Sequence, residues 1–100
     1  VNYPDIEKEL KIVRKHLPGI DKKLSEQIVK VIHVLRGKNL EKLPGISETL
    51  DWAMSLHALG KKKVDEESFN MTQGSVLKSL ADTEKIKTEG IAGILEEANG

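Results

Sequence analysis

A chain of 100 residues with 16 Lys or Arg set against 16 Asp or Glu carries no net charge, so no global field favours nucleic acid, an anionic membrane or an acidic partner. Its length suits one domain with one modest core, and 38% apolar with 32% charged residues is the composition of a chain that folds. The lack of cysteine excludes disulfides, thiolate metal sites and thiol nucleophiles, and the apolar runs are too short for a membrane span or a signal-peptide core, which makes the cytoplasm the expected location.

In chain order, Ile6, Leu10, Val13 and Leu17 recur at three- and four-residue steps, which predicts an amphipathic helix entered after Pro4, capped by Asp5 and ended by Pro18 and Gly19. Leu24, Ile28, Val31, Ile32 and Leu35 form the stripe of a second helix, widened by Val29 and Val34 and stopped at Gly37. Such a broad stripe predicts a central helix with several neighbours. A third helix is expected from Ser47 to about Leu59, ended by Gly60. A fourth follows Asp65 as N-cap, with Glu66 and Glu67 in its first turn. Gly74 interrupts, so "QGSVLKSLAD" reads as a separate short helix or a kinked continuation. Beyond Asp82, the weak stripe Ile86, Ile91, Ile94 and Leu95, broken by Gly90 and Gly93, predicts a loosely docked helix or a frayed tail over residues 83–100. The fold class is all-α, a small bundle of four to six helices.

Little in these segments points to catalysis. His16, His33 and His57 fall on three different predicted helices without the spacing of a helical metal site, so all three read as structural. Glu7, Glu9, Glu26, Glu66 and Glu67 fall on solvent faces or in first turns, where the helix dipole accounts for them. No phosphate-binding glycine loop occurs. Lys61 to Lys63 read as a solvated turn, and the third helix offers no Arg, Asn or Gln for base edges, which argues against nucleic acid. Trp52, the single tryptophan, is expected as a core anchor.

Three stretches, "VNYPDIEKELKIV", "PGISETLDWAMSLHALG" and "SFNMTQGSVLKSLAD", resemble in matching order the C-terminal lid domain of MoxR-type AAA+ ATPases. The resemblance is to the branch associated with carbon monoxide dehydrogenase and similar metalloenzyme systems. It covers residues 1–82, and the tail from Thr83 lies outside it. In that family a linker runs from the nucleotide-binding core through a Tyr-Pro, here Tyr3 and Pro4, into the first lid helix. The resemblance therefore implies a piece of a longer protein, in keeping with Val1 in the place of an initiator Met.

The resemblance also gives the start of the third helix a role. There the family carries its sensor 2 motif, Gly-x-Ser-Pro-Arg, whose arginine faces the ATP phosphates. Gly45, Ile46 and Ser47 match, whereas Glu48 stands in place of the proline and Thr49 in place of the arginine. A threonine offers one neutral hydroxyl where arginine offers a charged fork of donors, so phosphate sensing at Thr49 departs from the family pattern. Ser47 is expected to cap the helix, whose N-terminus would face the nucleotide. The implied whole is a chaperone-like ATPase that matures or activates metalloenzymes, with ATP and Mg²⁺ in the parent protein and none in this segment. Its implied partners are the upstream core, neighbouring ring subunits and a von Willebrand factor A protein. The segment alone would have no catalytic residue and no metal. The alternative expectation is a helical protein-interaction module with no nucleotide role.

Overall fold

The computed structural model describes residues 2–100 and holds six α-helices, with no strand among the described residues. Helix α1, Ile6–His16, starts where Asp5 accepts the backbone N–H of Lys8 at 2.8 Å, a satisfied orphan donor of the first turn. Helix α2, Lys22–Arg36, is capped in the same way by Asp21 on Leu24 N–H at 3.0 Å. Its Leu24, Ile28, Val29, Val31, Ile32 and Leu35 are all buried. α2 is the central helix that its broad stripe predicts, packed against α1, α3 and α6.

Helix α3, Ile46–Ala58, ends at Gly60, whose φ of +70° lies in the left-handed region that favours glycine. There Gly60 N–H bonds His57 carbonyl and Lys61 N–H bonds Leu56 carbonyl, the paired closure that satisfies the last carbonyls of a helix. Trp52 is fully buried on α3, meets the Phe69 ring edge to face with centroids 5.9 Å apart, and donates its indole N–H to Thr72 at 2.7 Å. A buried indole with a partner for its one polar atom is the core anchor expected of it.

Helix α4, Glu66–Thr72, is closed by reciprocal bonds between Asp65 and Ser68. After it the chain departs in part from expectation. Gly74 sits in a 3₁₀ turn, Gln73–Ser75, that continues α4 directly, residues 76–79 belong to no helix, and residues 80–82 already open the next one. Val76 and Leu77, whose N–H groups both close on the Gln73 carbonyl, plug the core, and α5, Leu80–Glu89, begins only after Ser79, which caps it through Asp82 N–H at 3.1 Å.

Of Gly90 and Gly93, only Gly90, with φ +95°, interrupts the helical run; Gly93 lies inside α6, Ile91–Asn99. α6 is firmly docked rather than frayed. Ile91, Ile94, Leu95 and Ala98 are buried, and the helix packs along α2. Lys38, just beyond the end of α2, pairs with Glu89 at 2.8 Å and Glu97 at 3.3 Å, tying α5 and α6 to it. α5 itself runs through positions 82 and 83 without interruption. No described helix is long and apolar enough to cross a membrane.

Candidate functional site

The face that α1 turns inward is not purely apolar. Ile6 is 40% exposed, Leu10 and Leu17 are half-buried, and the two fully buried residues of the helix are Val13 and, one turn before it, Glu9. Glu9 is therefore a correction to its expected solvent position. A carboxylate there needs a partner of opposite charge, because burying it unpaired costs several kcal/mol.

The partner comes from α2. Arg36 continues the row Ile28, Ile32, Arg36 at four-residue steps, so the stripe that fills the core ends in a guanidinium. Its Nη1 donates to Glu9 Oε1 at 2.6 Å and its Nη2 to Oε2 at 2.8 Å, a two-pronged pair. His33 Nε2 donates to Oε1 at 3.0 Å, and Thr49 Oγ1 donates to Oε2 at 2.7 Å. Burial on its own would raise the pKa of Glu9. The bonds from Arg36, Thr49 and His33 outweigh it and hold the carboxyl below its ordinary value.

Arg36 also reaches outward. Its Nε donates to the Pro44 carbonyl at 2.7 Å, and its guanidinium carbon lies 4.2 Å from the centre of the Tyr3 ring, within cation–π range. One side chain thus joins the segment that precedes α1, the body of α2 and the turn that starts α3. Tyr3 and Pro4 are both half-buried, as residues of a seam rather than of a free strand of chain.

At that turn the cap is Gly45, not Ser47, because the helix begins one residue earlier than its sequence predicts. Glu48 accepts the backbone N–H of Gly45 at 2.8 Å, the half of a capping box that a third-position glutamate provides. Glu48 therefore has a structural task at this helix start. Ser47 is exposed in the first turn and Ile46 is half-buried. Thr49 faces the interior with no exposure, its hydroxyl donating to Glu9 and lying 3.1 Å from the Gly45 carbonyl. Of the five residues singled out at this helix start, Ser47 is thus the one whose side chain meets solvent freely.

A second anchor holds the loop leading into α3. Asp82 is buried on α5 and accepts Glu41 N–H at 2.7 Å and Lys42 N–H at 2.9 Å, while Lys85 donates to the Asn39 carbonyl at 2.7 Å. Burial would raise the pKa of Asp82, but the two backbone donors, Ser79 and the charge of Lys85 bring it below the ordinary value. The tail is thereby joined to the loop that delivers Gly45.

Among the described residues no group of three His, Asp or Glu is placed to hold a metal ion. His16 and His57 are exposed; only His33 enters a polar network. No protein-family model, curated protein or solved structure matches the chain.

Proposed function

We propose that the chain is the C-terminal lid domain of a MoxR-type AAA+ ATPase. In this reading it closes over ATP and Mg²⁺ held by a core domain that precedes it and passes the state of the nucleotide to neighbouring subunits of a ring. The activity of such a protein is chaperone-like, the maturation or activation of metalloenzyme partners with the help of a von Willebrand factor A protein. The isolated domain supplies no catalytic group.

The observation that carries the proposal is the seam made by Arg36. A lid needs its attachment to the core mechanically joined to the helix start that faces the nucleotide. Tyr3 lies against the guanidinium, Pro44 accepts its Nε–H, and Thr49 shares Glu9 with it. A change in the direction of the linker at Tyr3 and Pro4 is therefore felt at Gly45 to Thr49. With Thr49 buried, the phosphate-facing role in this reading falls to half-buried Ile46 and exposed Ser47, first-turn residues whose backbone N–H groups and helix dipole favour an anion.

The test is ATP hydrolysis by the longer protein formed by this chain and the polypeptide preceding it in its gene, with Ser47→Arg beside the parent. Hydrolysis that shifts severalfold in the variant, with thermal stability retained, supports the lid. A preceding polypeptide without a phosphate loop, or hydrolysis indifferent to Ser47→Arg, overturns it. The second reading, a protein-interaction module, draws on the exposed Met54, Leu59 and Met71 near the end of α3 and along α4, an apolar group of the kind that marks contact surfaces.

A further inference from the structure

The neutral total hides a division along the chain. Residues 1–40 carry nine Lys or Arg against five Asp or Glu, whereas residues 41–100 carry seven against eleven. The division does not extend to α4 and α5 as a whole, since residues 61–89 carry six Lys against six Asp or Glu, so the charge that matters there is that of the individual lining residues.

The two charged regions differ in shape. On α1, opposite the buried Glu9 and Val13, the exposed residues Lys8, Lys11 and Lys15 fall at steps of three and four, one convex row with half-buried Ile12 beside it. Between α4 and the α5–α6 corner lies a cleft of about 470 Å³. Its floor is apolar, from Phe69, Ile86 and Ile91, and its walls carry Glu66 on one side and Glu84 on the other, with Lys87 as the only cation among the lining residues. None of Lys8, Lys11, Lys15, Glu66 and Glu84 has an ion-pair partner among the described residues. The cleft has room for a few side chains but not for a whole helix about 10–12 Å across.

We propose that the α4–α5 cleft receives the α1 lysine row of a second copy of this chain. The helix lies across the mouth, Ile12 and the aliphatic stems of the lysines cover the apolar floor, and the ammonium groups meet Glu66 and Glu84. Because one surface of each copy meets a different surface of the next, the contact is head-to-tail, and repeated it generates a closed ring or an open chain. A contact built on one helix and one shallow cleft is small, which places it in the weak and transient class. Its attraction is between exposed charges and is screened by salt within about 10 Å at 0.1 M. None of this depends on the nucleotide reading.

The experiment is sedimentation velocity of the 100-residue chain over a wide concentration range, at low and at high salt. Wild type is expected to associate at low salt and to sediment as a monomer at high salt. Glu66→Lys with Glu84→Lys, and separately Lys8→Glu with Lys11→Glu and Lys15→Glu, should each weaken association at least tenfold. A mixture of the two variants should associate again, because the reversed cleft of one now matches the reversed row of the other. Circular dichroism verifies that each variant is folded, and Asp51→Lys, a reversal on α3, should leave association unchanged. A wild type that stays monomeric at every concentration in low salt overturns the proposal. So does association that survives both reversals, or that is lost instead with Met54→Lys and Met71→Lys.

Discussion

The Glu9 carboxylate and the Arg36 guanidinium meet through two hydrogen bonds, at 2.6 and 2.8 Å, where Glu9 is fully buried and the Arg36 side chain is 6% exposed. Twenty-seven residues separate them in the chain, and the pair fixes the crossing of α1 over α2. Removing one partner leaves a buried charge without compensation. Arg36→Met should therefore destabilise the fold by about 3–5 kcal/mol in urea unfolding followed by Trp52 fluorescence. Glu9→Leu combined with Arg36→Met, which removes both charges, should recover much of that loss. A single variant as stable as wild type would mean that the pair bears no weight.

Acid should find the same weak point. Glu9 and Asp82 are both held below their ordinary values of 4.5 and 3.8. Their contribution is complete at pH values above those ordinary values. It is lost as pH falls and the unfolded chain takes up protons that the folded carboxylates still refuse. The urea midpoint should be flat from about pH 7 to 5 and drop below about pH 4.5. Glu9→Gln, already less stable, should show a shallower drop; an equal slope in that variant would remove Glu9 from the account.

Asp82 joins the tail to the α3 approach through two backbone donors, so Asp82→Ala should free the amides of Glu41 and Lys42. Their hydrogen exchange is expected to quicken by roughly tenfold or more, with the amides of α1 unaffected. Unchanged exchange at those two positions would show that the loop is held by other means.

The stripe of α2, the caps Asp5 and Asp65, the stop at Gly60 and the core position of Trp52 were legible because each depends on neighbours in sequence. Glu9 was not, since a carboxylate near a helix start is explained equally well by the dipole, and its burial depends on an arginine in another helix. The clue lay in the two stripes taken together: a carboxylate one turn before Val13 and a guanidinium four residues after Ile32 continue the core-facing rows of two adjacent helices. The cap at Gly45 was missed for a related reason. Ser47 is a better intrinsic N-cap than glycine, but Glu48 closes back on the Gly45 N–H and starts the helix early. The docking of α6 was hidden by Gly93, whose cost in helix propensity is outweighed by the burial of four apolar side chains against α2 and its neighbours.

The lid proposal is tested most directly by amide exchange at Ile46, Ser47 and Glu48, in the longer ATPase that the proposal implies, with and without saturating ATP and Mg²⁺. Nucleotide is expected to slow exchange at the first turn of α3 and to alter it at Tyr3, across the Arg36 seam, while the amides at the centre of α6 stay as they were. ATP bound by that protein with no change in exchange at Ile46 to Glu48 would contradict a nucleotide-facing role for this helix start.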